Sequence, residues 1–169
     1  MAGITIEEDC FAPRRTVFVE YSGPDPFAFA REFAKILRPI FEVGTSHCGE
    51  PRWMWDWTGD PIQLYLHWVV DKRVSRFSTL WFSIRVVGFK SKARNEGNFR
   101  MEVEPVLRHK FDSNNWFLKG LWWIYWYLAY SKMRRAMIEM CRDFAFRFIN
   151  TIKGMYKLGT LVEEKYAEK

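Results

Sequence analysis

The segment "IQLYLHWVVDKRVSRFSTLWFSIRVV", residues 62–87, alternates apolar side chains with other side chains in two runs that a basic connection separates. In the first run every second residue from 62 to 70 is apolar, and in the second run every second residue from 80 to 86. Successive side chains of a β-strand point to opposite faces of a sheet, so each run would present one apolar face. We therefore expect two antiparallel strands that cover a core on one face and meet water or a partner on the other.

Three other segments have the same alternation and extend the predicted sheet to five strands. They are "TVFVEYSG" (residues 16–23), "RWMWDW" (52–57) and "FRMEVEPVLRHKF" (99–111). Pro105 has no amide hydrogen for a ladder bond, which predicts a sheet edge or a β-bulge at that position. Basic connections at residues 71–77 and 90–98 would join the strands.

Two regions have the 3.6-residue period of amphipathic helices. In "GPDPFAFAREFAKILRPIFEV" (residues 23–43), Asp25 suits an N-cap and Pro26 the first helical position, while Pro39 should kink or end the helix. From residue 114 to about residue 157 the chain reads as helix throughout. Its apolar period is clear in Met133, Met137, Cys141, Phe144, Phe148, Ile152 and Met155, of which Met137, Cys141, Phe144, Phe148 and Ile152 should face the sheet.

This order of elements resembles the helix-grip domains of the START/polyketide-cyclase-like (SRPBCC) superfamily. The resemblance covers about residues 16–157 and lies in element order, with five predicted strands where that fold usually has seven. It implies an α+β fold in which a mainly antiparallel, curved sheet packs on a long C-terminal helix around an apolar ligand cavity. It implies no catalytic residue, because the fold does not determine the chemistry.

The side chains that would line such a cavity are apolar residues of the strands and of the C-terminal helix. The candidates are Trp53, Trp55, Trp57, Leu66, Trp68, Phe82, Ile84, Met101, Val103, Trp126, Met137 and Phe144. The competing interpretation is that these side chains fill the interior and leave no room for an apolar small molecule.

The length of the chain predicts one domain over residues 1–169, with an ordered core at about 14–160 and an acidic C-terminal tail. Three scattered cysteines do not suggest a disulfide framework, and the polar, acidic first residues do not resemble a secretory signal. We therefore expect a cytoplasmic protein with reduced thiols.

The net charge of +6 is unevenly distributed along the chain. Residues 72–94 carry no acidic side chain, and residues 132–157 carry a basic excess, which would suit RNA, DNA, an acidic protein or an anionic lipid surface. The alternative is an ordinary solvated basic surface. The candidate anion-binding residues are Lys72, Arg73, Arg76, Lys90, Lys92, Arg94, Lys132, Arg134 and Arg135.

Catalytic and metal-binding motifs have little support in the sequence. The histidines and cysteines have no zinc-site spacing, and there is no nucleophile elbow or phosphate-binding loop. Glu102 and Glu104 would share a strand face with Arg100, which suits acid–base chemistry but is more typical of a cross-strand ion-pair ladder. We expect no metal and no cofactor, and the balance is against an enzyme.

The stretch "WFLKGLWWIYWYLAY" (residues 116–130) contains eight aromatic residues and one charge. As a helix it would rise about 22 Å, which is too short to cross the roughly 30 Å hydrocarbon core of a membrane. Continuing the phase of the later helix places Trp123, Trp126, Tyr130 and Met133 on the core side. The same phase places a second set of residues, here called the apolar patch, on the outer side: Phe117, Leu121, Ile124 and Leu128.

If the helix is unbroken, the apolar patch would be exposed and would contact a protein, such as a second copy in a homodimer, or a membrane. A break near Ser131, or cover from the N-terminal helices, would bury it instead. The sequence therefore favours a non-catalytic binding or adaptor protein, cytoplasmic or peripheral at a membrane, with an apolar ligand pocket as an option. The alternatives are a basic protein associated with RNA or ribonucleoprotein, and a cyclase-like or lipid-handling enzyme.

Overall fold

An antiparallel sheet and three helices make up the part of the chain that the computed structural model describes, residues 3–112 and 115–158. The strands are β1 (Ile4–Asp9), β2 (Val17–Pro24), β3 (Cys48–Asp56), β4 (Ile62–Arg73), β5 (Ser78–Lys90) and β6 (Glu96–Phe111). The helices are α1 (Ala28–Phe41), α2 (Trp116–Leu128) and α3 (Tyr130–Met155), and a 3-10 turn spans Thr45–His47. The order of elements confirms the predicted α+β class.

The strands follow the spatial order β1-β6-β5-β4-β3, and β2 also pairs with β6. β1 and β2 thus share one side of β6, with Asp9 opposite Val106 and Val17 opposite Val103. The chain leaves the sheet between them, at residues 10–16. Pro105 lies in this gap, where no partner strand requires its missing amide hydrogen, so it needs neither an edge strand nor a bulge.

β1 was not among the five predicted strands, and it begins before the predicted ordered core at residue 14. Its alternation is weak because only Ile4 and Ile6 are apolar before an acidic run at residues 7–9. Its identity as a strand depends on pairing with residues more than a hundred positions later, such as Phe111 opposite Ile4. The predicted acidic C-terminal tail lies outside the described residues.

Helix α1 begins later than the predicted N-cap. Phe27 is the N-cap, whereas Asp25 adopts a positive φ of 41° and its carboxylate pairs with Arg31 and Lys90. Pro39 lies inside the last turn, and the helix ends two residues later at Phe41.

Helices α1 and α3 pack on the same face of the sheet. Phe33 of α1 stacks on Trp68 of β4 at a centroid distance of 3.6 Å, and Phe41 contacts Phe82 at 4.5 Å and Phe148 at 5.7 Å. α3 also packs directly on β6, which confirms that the sheet packs against the C-terminal helix. The residues of α3 in the core include Met137, Cys141, Phe144, Phe148 and Ile152.

A local break at Ala129 separates α2 from α3, so the region from residue 114 to about residue 157, predicted as helix throughout, contains two helices. Ala129 keeps an α-type conformation, with φ −108° and ψ −34°, and its amide still donates to the Tyr125 carbonyl at 2.9 Å. The buried stripe ahead of the break is Trp122 and Trp126. The predictions that Trp123 and Met133 face the core were wrong, since the two are 40% and 47% exposed.

A disulfide joins Cys10, in the segment between β1 and β2, to Cys141 in the middle of α3. The expectation of reduced thiols was therefore wrong for this pair. The two cysteines are 131 residues apart, and only the fold brings their Cα atoms to 6.0 Å. Cys48 is free and half-buried, and burial raises the pKa of its thiol.

Candidate functional site

Helix α2 is the most unusual surface element of the protein. It starts at Asn115, whose side chain accepts the amide hydrogen of Phe117 at 2.9 Å, so the first turn has a normal N-cap. After this cap the helix contains no acidic residue and one basic residue, Lys119. Local capping thus favours the helix, but its composition would usually be found in a protein interior.

Only one stripe of α2 is buried against the rest of the protein. Trp122 stacks on Phe111 of β6 at 4.7 Å with nearly parallel planes, and it meets Phe77 edge-on at 4.9 Å. Trp126 lies edge-on to His109 at 4.8 Å. These two indoles attach the helix to the end of the sheet formed by the β4–β5 turn and the C-terminal part of β6.

The apolar patch is exposed, and it lies about 150° around the helix from the two docked tryptophans. Its exposed fractions are 55% for Phe117, 45% for Leu121, 58% for Ile124 and 80% for Leu128. Trp116, Trp123 and Tyr127 flank the patch on one side, and Leu118 and Tyr125 flank it on the other; all five are exposed. Aliphatic side chains therefore occupy the centre of the outer face, with mainly Trp and Tyr at its borders.

Beneath α2 lies a buried chain of polar groups. His109 Nε2 is 3.2 Å from a carboxylate oxygen of Glu8, and His109 Nδ1 is 2.7 Å from Ser78 Oγ. The Tyr130 hydroxyl is hydrogen-bonded to Ser78 Oγ and lies 3.3 Å from Ser75 Oγ. The chain links β1, β5 and β6 to the first residue of α3.

Glu8, His109 and Ser78 have the connectivity of an acid–base–nucleophile relay. However, Ser78 and His109 are each 1% exposed, and Tyr130 and Trp126 cover the histidine ring. In this arrangement no substrate reaches Ser78 Oγ. The chain instead provides hydrogen-bond partners for buried polar groups and fixes the start of α3 to the sheet. Its members come from distant segments and form no local motif, so no pattern in the sequence indicates it.

The nine candidate anion-binding residues divide into paired and unpaired cations. Lys72 pairs with Glu42 at 3.0 Å, Lys90 with Asp25 at 3.2 Å and Arg134 with Glu8 at 3.2 Å. Within residues 3–112 and 115–158, the other six have no carboxylate within ion-pair distance: Arg73, Arg76, Lys92, Arg94, Lys132 and Arg135.

The unpaired cations lie at opposite ends of the sheet. Lys92 and Arg94 are in the β5–β6 turn, where the Lys92 ammonium donates to the Trp57 carbonyl at 2.5 Å. Arg73 and Arg76 are at the β4–β5 turn, the end to which α2 is attached. Lys132 and Arg135, in the first turns of α3, belong to the same end, because Tyr130 contacts Ser75 of that turn.

Most of the candidate cavity residues lie in the packed interior. Nine are buried: Leu66, Trp68, Phe82, Ile84, Met101, Val103, Trp126, Met137 and Phe144. Trp53 and Trp55 lie on the free edge strand β3 and Trp57 directly follows it; Trp53 and Trp57 are about half exposed. Two surface depressions, of about 390 and 570 Å³, lie on the outer face of the sheet and share Val87, Gly88 and Phe89. The candidate residues therefore form no single site.

The outer face of the sheet also contains Glu102 and Glu104, the carboxylates that the sequence offered as candidates for acid–base chemistry. Arg85 pairs with Glu102 at 3.4 Å and with Glu104 at 2.9 Å, and Arg15 pairs with Glu104 at 2.5 Å. His67 lies 3.0 Å from Ser83 Oγ, and burial, followed by the charge of Arg85, lowers the pKa of its imidazole. This is an ion-pair ladder across neighbouring strands.

The described residues contain neither a group of metal ligands nor a membrane-spanning helix. In residues 3–112 and 115–158, no group of three or more His, Cys, Asp or Glu side chains is arranged to hold a metal ion. No helix in the same ranges combines the length and the apolar character needed to cross a bilayer. No protein-family model matches the chain, and no curated protein sequence is significantly similar to it.

Proposed function

We propose that this is a non-catalytic binding protein that attaches to the surface of a lipid bilayer through helix α2. The observation that carries the proposal is the exposed apolar patch, bordered by Trp and Tyr, on a helix whose buried residues are Trp122 and Trp126. Exposed apolar surface of this kind usually marks a contact site.

The distribution of side chains around α2 favours lipid over a second protein. Tryptophan and tyrosine are enriched at the boundary between lipid headgroups and acyl chains, whereas aliphatic residues enter the acyl region. In α2 the aliphatic residues and Phe117 point away from the protein, and the indole and phenol rings lie beside them. A helix lying parallel to the membrane would place each class at its preferred depth.

The length of α2 supports the same orientation. Its thirteen residues rise about 20 Å, less than the roughly 30 Å hydrocarbon core, so the helix is suited to lie in the interface. Its contact with the sheet end through Trp122 and Trp126 would keep the protein body on the aqueous side.

The proposal is tested by removing the apolar patch. We expect Leu121→Ser, Ile124→Ser and Leu128→Ser together to abolish binding to phospholipid vesicles, measured by co-sedimentation, because the three side chains supply the aliphatic contact area. Folding should be retained, since these side chains are 45–80% exposed. Thermal unfolding of the variant checks this.

A matched control comes from the outer face of the sheet. Met54, Val87 and Phe89 are 56%, 57% and 48% exposed, so Met54→Ser, Val87→Ser and Phe89→Ser remove a similar apolar area far from α2. This control should bind vesicles like the wild type. If the α2 variant loses self-association in sedimentation experiments while the wild type ignores vesicles, the patch is a homodimer interface and the proposal is wrong.

A further inference from the structure

The outer face of α2 continues into a basic band at the start of α3. At about 100° per residue, Lys132 and Arg135 fall on the same side as Leu121, Ile124 and Leu128. The break at Ala129 does not interrupt this alignment by much, because its conformation stays in the α region and the bond to Tyr125 is kept. Both cations are exposed. Along the chain, this surface is therefore apolar on α2 and positively charged at the start of α3. Glu139 ends the basic band one turn later.

The β4–β5 turn adds two further cations at this end of the sheet. The Arg73 guanidinium donates to the carbonyls of Ser75 and Arg76 at 3.3 and 3.4 Å, which fixes the turn. Arg76 lies 5.6 Å from the ring of Phe77, the residue on which Trp122 is packed. The β4–β5 turn thus contacts α2, and its two cations lie at the same end of the sheet as this helix.

Three acidic groups in the neighbouring segments are engaged with other partners, and Glu139, four residues after Arg135, forms no ion pair with it. Glu8 lies against His109 and Arg134, Glu42 pairs with Lys72, and Asp71 pairs with His47. Arg73, Arg76, Lys132 and Arg135, here called the cation cluster, keep a net positive charge that no described carboxylate offsets at ion-pair distance.

We infer that the cation cluster binds the phosphate-bearing headgroups of anionic lipids and so makes the docking of α2 stronger on negatively charged bilayers than on neutral ones. The inference rests on the proposed attachment through α2. With the apolar patch in the acyl boundary, the cation cluster lies at the level of the headgroups, where long basic side chains reach phosphates. Guanidinium groups suit this ligand because their geometry matches phosphate oxygens.

The charge contribution can be separated from the apolar contribution by neutralising cations without touching α2. Each basic residue near an anionic surface strengthens binding by about fivefold. We expect Lys132→Gln with Arg135→Gln to bind vesicles containing phosphatidylserine about 30-fold more weakly than the wild type. Binding to pure phosphatidylcholine vesicles should change less than twofold.

The control neutralises two cations at the other end of the sheet. Lys92→Gln with Arg94→Gln makes the same change in net charge, and it should reduce phosphatidylserine binding less than twofold. Wild-type binding to phosphatidylserine vesicles should also fall as salt rises from 50 to 500 mM, because screening shortens the range of the attraction.

The outcomes distinguish this inference from the proposed function. Wild-type binding that is equal for the two lipids, or an equal loss in both double variants, would overturn the role of the cation cluster while leaving attachment through α2 intact. Absence of vesicle binding at every lipid composition and salt concentration would overturn both. If Lys132→Gln/Arg135→Gln binds phosphatidylserine and phosphatidylcholine vesicles more weakly by the same factor, the inference is also contradicted.

Discussion

At the scale of single residues, Tyr156 shows how a polar group is accommodated where the C-terminus of α3 meets α1. Its hydroxyl donates to the Pro26 carbonyl at 2.9 Å and accepts the Phe29 amide hydrogen at 3.2 Å. Its ring packs on Tyr21 and Phe99. Burial raises the pKa of this phenol from 10 to about 12.

This shift predicts a pH dependence of stability. Between pH 10 and about 12 the unfolded chain loses the Tyr156 proton while the folded chain keeps it, so the free energy of unfolding falls as pH rises. Tyr156→Phe removes this contribution. We therefore expect the stability difference between wild type and Tyr156→Phe, measured by urea unfolding, to be largest below pH 10 and to shrink toward pH 12.

Tyr127 provides the control for this experiment. It is 70% exposed, so Tyr127→Phe removes a phenol hydroxyl outside the core and gives the baseline for the comparison. A stability difference for Tyr156→Phe that does not change between pH 10 and about 12 would show that this phenol is not protected in the folded protein.

The residue scale is also where sequence reasoning was weakest. Glu8, Ser78 and His109 belong to no recognisable motif of the sequence. Their hydrogen bonds exist because β1, β5 and β6 become neighbours, which no local pattern encodes. The same is true of Cys10 and Cys141, whose pairing requires the gap between β1 and β2 to meet the middle of α3.

At the scale of elements, α3 is the helix that covers the sheet, and its last turns are part of the core. A chain that ends at Asn150 lacks Ile152, which is fully buried, and Tyr156. We expect this truncated protein to unfold at a much lower urea concentration than the full chain. The single substitution Ile152→Ala should cost about 2–5 kcal/mol, because it leaves a cavity in the core.

Lys153→Gln is the control in the neighbouring position, and its effect should stay within about 0.5 kcal/mol, as is usual for substitutions outside the core. If the truncated chain unfolds like the full-length protein, α3 does not hold the fold together in the way described here.

Elements were predictable where their own residues carry a strong period. The alternation of β4, β5 and β6 is nearly complete because one face of each strand lies on the core. The break at Ala129 lies two residues before Ser131, where the sequence left a break open. Trp126 and Tyr130 are buried as predicted, but Trp122 is buried in place of Trp123. Nearly every residue of α2 is apolar, so hydrophobicity alone cannot indicate which stripe is docked.

At the scale of the whole molecule, the disulfide is the longest-range covalent constraint. Chain-entropy arguments give a stabilisation of about 5 kcal/mol for a ring of this size, with 2–5 kcal/mol typical of removed native disulfides. We expect a reductant, or Cys10→Ser with Cys141→Ser, to lower the urea midpoint by a corresponding amount, while Cys48→Ser should have little effect.

A thiol count checks the same point independently. The unreduced protein, unfolded in urea, should contain one reactive thiol, from Cys48. Three reactive thiols in protein purified without reductant, together with an unchanged midpoint on reduction, would contradict the pairing.

The disulfide also has a mechanical consequence. Cys10 and Cys141 close a covalent ring that contains β2 to β6, α1 and α2, whereas β1 and the second half of α3 lie outside it. A pulling force applied to both ends of the described chain would pass through the sulfur–sulfur bond and bypass the ring. Such a load could peel β1 from β6 and unravel the end of α3, but it could not stretch the five strands or the two helices, α1 and α2, inside the ring.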